Sequence, residues 1–137
     1  YKTLVIMNNY FEKVQGFLLD LDFNIIQENE EDGVFWVNKE DAGIHNLVIG
    51  CLDPILVMEQ YLFEIGNENT EVFKKLLIKN RDIIHGAFVL DETGRKVIFR
   101  DTLQLENLDL NELEGSLNSL SLLMSEYSEE LIAFSKN

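Results

Sequence analysis

Two long amphipathic helices bracket this chain, and they constrain its fold more than any other feature of the sequence. The second helix is about six turns long, and its apolar residues recur at spacings of three and four. They are Leu113, Leu117, Leu120, Leu123, Met124, Tyr127, Leu131 and Phe134. Asp109 is its predicted N-cap, with Glu112 as the partner in a capping box. This helix is longer than a small sheet needs as cover.

The first helix carries one apolar stripe, which predicts that one face of it packs on a core. Its members are Met7, Tyr10, Phe11, Val14, Phe17, Leu18 and Leu21. Asp20 and Asp22 lie where the helix should end, and Phe23 leads into the first strand. The two helices therefore enclose residues 24–108 in sequence.

The residues between the two helices read mostly as short strands joined by polar turns. The predicted strands are 25–28, 34–39, 46–52, 55–65, 87–90 and 96–100, with a short helix from Asn69 or Thr70 to about Asn80. The chain should bend at Asp53-Pro54, because proline cannot donate to a sheet ladder. The order α-β-β-β-β-α-β-β-α predicts an α+β fold: a twisted antiparallel sheet with three helices on one side, as a single domain over residues 1–137.

The segment 55–65 is apolar on both faces, which is more than a strand with one buried face requires. Leu56, Met58 and Leu62 share one face, and Ile55, Val57, Tyr61, Phe63 and Ile65 share the other. We therefore predict that Leu56, Met58 and Leu62 bind a partner. The alternative is that the strand is sandwiched between helices.

The charge of the chain excludes several classes of partner. Among 137 residues, 11 lysines and arginines face 25 acidic residues, for a net charge of -14. A field of that sign disfavours nucleic acids and anionic membranes. Residues 71–100 are nevertheless mildly basic, while 101–137 are strongly acidic. These regions are either solvated faces, or surfaces that attract a basic partner or meet across a subunit interface.

No set of residues in the sequence indicates catalysis, a cofactor or a metal. Cys51 is the only cysteine, so no intramolecular disulfide can form, which favours a reducing compartment such as the cytoplasm. Only two histidines, His45 and His85, are available as bases, and there is no zinc-ligand spacing. Trp36 and Cys51 are predicted core residues, and the apolar run 1–7 is too short for a signal peptide or a membrane span.

A series of apolar, glycine and asparagine positions in the second half resembles a known family. The positions are Leu76-Leu77-Ile78-Lys79-Asn80, Gly86-Ala87-Phe88-Val89-Leu90-Asp91, Gly94-Arg95, Val97-Ile98-Phe99-Arg100 and the helix start Leu108 to Leu113. They resemble the YbjN-like group of the type III secretion chaperone-like superfamily. The resemblance implies a small bacterial cytosolic protein that forms a homodimer. It also implies that an extended client segment is held over apolar patches, partly as an added strand.

Three functions remain open at this point. The first is a non-enzymatic, homodimeric protein-binding module, chaperone-like or regulatory. Its dimer interface would use Leu117, Leu120, Met124 and Tyr127 or the middle helix with its strand. The second is a small-ligand domain or enzyme, which requires an enclosed cavity near His45, His85 or Cys51. The third is a structural adaptor whose acidic last helix docks on a basic surface.

Overall fold

The structure is a computed structural model that describes residues 2–67 and 69–136, with side chains from Tyr10 onward. Within these residues the chain forms three α-helices and six strands in the predicted order. In chain order they are α1 (Lys2–Asp20), β1 (Asn24–Asn29), β2 (Val34–Lys39), β3 (Ile44–Leu52), β4 (Ile55–Glu64), α2 (Thr70–Asn80), β5 (Ala87–Leu90), β6 (Lys96–Gln104) and α3 (Leu110–Ser135). The side chain of Met7, assigned to the stripe of α1, lies outside the described part.

The strands form one antiparallel sheet in the order β1-β2-β3-β4-β6-β5. The predicted α+β class is therefore confirmed. Strand β6 continues four residues beyond its predicted end, so that Gln104 pairs with Ile55 at the start of β4. Strands β4 and β6 thus pair over the full length of β4.

All three helices contact the same face of the sheet, which we call the covered face. The ring of Phe11 in α1 stacks on Phe35 in β2 with centroids 4.2 Å apart. The sheet residues buried on this face are Phe35, Val37, Leu47, Ile49, Cys51, Leu56, Met58, Phe63, Phe88, Val97 and Phe99. Burying each large apolar side chain contributes about 1.5–3 kcal/mol, so this face is the main source of stability.

The helix α3 packs against the sheet of its own chain along its whole length. Asp109 Oδ1 accepts a hydrogen bond of 2.8 Å from the main-chain nitrogen of Glu112, which confirms the predicted N-cap. At the other end of the helix, Leu131 and Phe134 are still buried, and Phe134 contacts Phe63 of β4 at 6.5 Å between centroids. The extra turns of the helix therefore cover the end of β4.

A β-bulge in β4 changes which residues face the helices. Tyr61 pairs with Ile98 and Phe63 with Val97, so Leu62 is the extra residue. Because a bulge shifts the alternation of side chains by one, Phe63 lies on the covered face although Tyr61 lies on the opposite one. The sequence had placed both residues on the same face, since simple alternation has no bulge.

The two edges of the sheet differ. At the β5 edge, Asn80 of α2 accepts a 2.8 Å bond from the main-chain nitrogen of Phe88 and donates a 3.2 Å bond to its oxygen. This side chain replaces a neighbouring strand at that residue. At the β1 edge, the described part of the chain makes no hydrogen bond to the main chain of Asn24–Asn29 apart from the ladder with β2.

Candidate functional site

The face of the sheet opposite the helices is apolar, and no helix of the described part of the chain covers it. We call it the open face. The register places Trp36 beside Val48, Leu52 beside Ile55, and Tyr61 beside Ile98. Its apolar members on β2, β3, β4 and β6 are Val34, Trp36, Val48, Leu52, Ile55, Val57, Tyr61 and Ile98. A contiguous apolar surface of this kind marks an interaction site in a folded protein.

The exposure of these side chains varies along the open face. Leu52 and Tyr61 are 51% and 50% exposed, whereas Val57 is only 7% exposed. Gly50, which pairs with Val57, explains part of this difference, because the Leu52 side chain lies over it. The larger apolar side chains therefore project further into solvent than Val57, which lies between them.

The open face carries no net charge. Arg100 Nε lies 3.3 Å from Glu59 Oε2, and Lys96 pairs in register with Glu64. These two acidic and two basic residues cancel on a chain whose net charge is -14. The acidic surplus therefore lies elsewhere on the molecule, and an uncharged apolar partner meets little desolvation cost here.

In the structure, the predicted partner-binding residues lie away from the surface. Leu56 and Met58 belong to the covered face and are 0% and 3% exposed, because α3 packs over that side of β4. Leu62 is half-buried at the bulge, beside Met124 in a cleft against α3. Strand β4 is apolar on both sides, and the side away from the helices is that of Val57 and Tyr61.

The predicted dimer residues are also engaged within the chain. Leu117 and Leu120 are both 3% exposed in the core. Met124 and Tyr127 are half-buried, and the Tyr127 ring packs against Phe88 at 6.3 Å between centroids. The apolar stripe of α3 therefore packs against the sheet of its own chain.

An apolar groove between α2 and β5 is available for a dimer contact, unlike the stripe of α3. Its volume is about 220 Å³ and it is lined by Phe73, Leu76, Leu77, Phe88, Val89, Leu90 and Val97. Leu77 on the helix is 68% exposed and Leu90 on the strand is 43% exposed. The groove is on the basic part of the sequence, 71–100, so it is a surface on which this acidic chain repels another copy least.

The residues considered for chemistry do not converge. Cys51 is buried on the covered face, and burial raises the pKa of its thiol to about 12, so it stays protonated at neutral pH. His45 and His85 are exposed, and His85 borders an open surface cleft. Among the described residues, no three potential metal ligands form a group. Trp36, predicted as core, is half-exposed on the open face.

The helices also bear on the question of a membrane. Over residues 2–67 and 69–136, none of them combines the length and apolar character that spanning a bilayer requires.

Two solved structures share this fold. One is the crystal structure of YbjN, a putative transcription regulator from E. coli, at 12% identity and a TM-score of 0.67, covering 87% of this chain and 91% of that one. The other is from the HopA1-SchA chaperone-effector complex, at 13% identity and a TM-score of 0.67, covering 90% and 97%. Both likenesses support the type III chaperone fold.

Sequence comparison identifies the family to which the chain belongs. No curated protein matches the chain significantly in sequence. A family model does, over residues 7–137, which include all six strands and the helices α2 and α3. The chain therefore belongs to the CesT_Tir_1 family of type III chaperones.

Proposed function

We propose that this protein is a non-enzymatic chaperone-like protein that holds an extended segment of a partner polypeptide. The open face carries the proposal, because within the described residues no helix lies over eight apolar side chains of β2, β3, β4 and β6. A protein that folds alone covers such a face or uses it for binding. Family membership supports the same class of function.

The β1 edge adds a second element of the binding surface. Its main chain is unpaired on the outer side within the described residues, and five of its six side chains are exposed. Main-chain bonds to an added strand supply affinity with little dependence on sequence, and side-chain contacts on the adjoining open face supply selectivity. The β5 edge is a poorer site, since Asn80 already occupies the main chain of Phe88.

The proposal includes a homodimer in the cytoplasm. The groove between α2 and β5 is its interface, because two exposed leucines, Leu77 and Leu90, flank the groove on the least acidic part of the chain. A stable dimer buries roughly 800 Å² on each protomer. Light scattering on the wild type gives twice the mass of the chain, and Leu77→Asp gives the monomer mass.

Site-directed photo-crosslinking in the cells that make the protein tests the partner. A photoreactive residue replaces Leu52 on the open face or Ile26 on the β1 edge, both of which are exposed. We expect a covalent adduct with one defined polypeptide. Deletion of the gene for this protein then lowers the soluble amount of that polypeptide.

A photoreactive residue at Leu122, which is 66% exposed on α3, is the matched control. We expect no adduct from Leu122, and the proposal fails if no polypeptide is captured from Leu52 or Ile26. It also fails if the captured polypeptide is equally soluble without the protein, because a chaperone function requires that difference.

A further inference from the structure

Exposed acidic residues are concentrated at one end of the sheet. The β1–β2 turn and the β3–β4 turn meet at this end, where the main-chain nitrogen of Cys51 donates to Gly33 O at 2.7 Å. The end of β6 joins them, because Leu105 N donates to Pro54 O at 3.0 Å. The exposed acidic residues of these connections are Glu30, Glu31, Asp32, Asp53 and Glu106. We call this group the acidic end.

The acidic end contrasts with the open face that it borders. Val34 and Leu52 of the open face directly adjoin these turns. The charges on the open face itself cancel through Glu59 with Arg100 and Glu64 with Lys96. Moving across the sheet surface, a bound segment therefore passes from a neutral apolar region to a strongly negative one.

We propose that the open face and the acidic end together bind a polypeptide segment in which apolar residues are followed by a run of lysines or arginines. The apolar part lies over Trp36, Val57 and Tyr61, and the basic run reaches the acidic end. Charge complementarity favours this direction of the segment on the sheet, since at the opposite end the exposed acidic residues Glu40, Asp41 and Glu92 are partly offset by exposed Arg95 and Lys96. This inference rests on the proposed function and names the chemistry of the partner segment.

Trp36 provides a direct measurement, because it is the only tryptophan in the chain and it lies on the open face. The probe is a synthetic peptide of alternating valine and threonine that ends in a run of lysines. Its matched control is the same peptide with a run of glutamates. We expect the first to change the Trp36 fluorescence and to bind at least about tenfold more tightly, with an advantage that falls as salt screens the charges.

Paired variants locate the binding surface. Leu52→Asp, on the open face, weakens binding of the lysine-ended peptide by about tenfold or more, while Leu122→Asp, at an exposed leucine of α3, leaves it unchanged. The double substitution Glu30→Lys with Glu31→Lys at the acidic end abolishes the preference between the two peptides. Circular dichroism confirms that each variant is folded, which is expected because all four residues are exposed.

Equal affinity for the two peptides overturns the inference, and so does the absence of a Trp36 signal with the lysine-ended peptide. The outcome is distinct from that of the proposed function. If cellular photo-crosslinking captures a client from Leu52 while the two peptides bind equally, the proposed function stands and only the inference fails.

Discussion

The two faces of the sheet are built from the same strands, yet they have opposite relations to the rest of the chain. On β4, Met58 lies among the helices and is 3% exposed, while Tyr61 on the other face is 50% exposed. Both faces are apolar. The difference shows that apolar character decides which residues avoid water, whereas the placement of the helices decides which residues stabilise the fold and which remain for a partner.

The largest expected difference between the faces is in stability. Leu56→Ala on the covered face removes a side chain with 0% exposure, and we expect the free energy of unfolding to fall by about 2–5 kcal/mol because a cavity remains. Leu52→Ala, four residues earlier on the open face, is expected to change it by less than about 1 kcal/mol. Urea denaturation followed by circular dichroism measures both values.

A control substitution tests whether the difference in stability comes from the face of the sheet on which the leucine lies. Leu122→Ala changes an exposed leucine on α3 and should match Leu52→Ala. If Leu52→Ala is as destabilising as Leu56→Ala, the open face belongs to the core of the free protein and is not a surface for partners.

A smaller effect is expected at the edge beside α2. Asn80→Ala leaves the buried main chain of Phe88 without its partner, which lowers the free energy of unfolding by about 1–3 kcal/mol. Asn80→Asp retains the acceptor for Phe88 N and should have a smaller effect. Hydrogen exchange of the Phe88 amide provides the local measurement, and unchanged protection in Asn80→Ala would contradict the role assigned to this side chain.

The smallest effect is expected on the open face itself. Glu59→Gln removes the exposed ion pair with Arg100 and should change the free energy of unfolding by less than about 1 kcal/mol. It also leaves the open face with a surplus positive charge. The lysine-ended peptide should therefore bind slightly less tightly to this variant, whereas tighter binding would show that the neutrality of the face is irrelevant.

The order of elements could be predicted from the sequence, because each depends on neighbours along the chain. The α2 start is an example: Asn69 Oδ1 accepts from Glu71 N and Val72 N, as its side chain and position suggested. The α3 cap at Asp109 follows the same local logic. Periodicity likewise predicts the stripe of α3, because each member lies on one face of a single helix.

The candidate site could not be predicted in the same way. Choosing between Leu56 with Met58 and Val57 with Tyr61 requires knowing the side on which helices from distant parts of the chain pack. The bulge at Leu62 also made the predicted face of Phe63 wrong, because it places Phe63 on the covered face. Apolar residues at strand spacing look alike on either side, so Trp36 was assigned to the core although it lies on the open face.

The side chain of Asn80 has a consequence for assembly. A sheet with two free edges can add copies at both ends and so grow without limit into a fibre. Here Asn80 occupies the main chain of Phe88 on the β5 edge, so β1 is the more available edge for pairing with another chain. Edge-to-edge pairing between copies is therefore disfavoured at β5, and a client strand bound at β1 occupies the other edge as well.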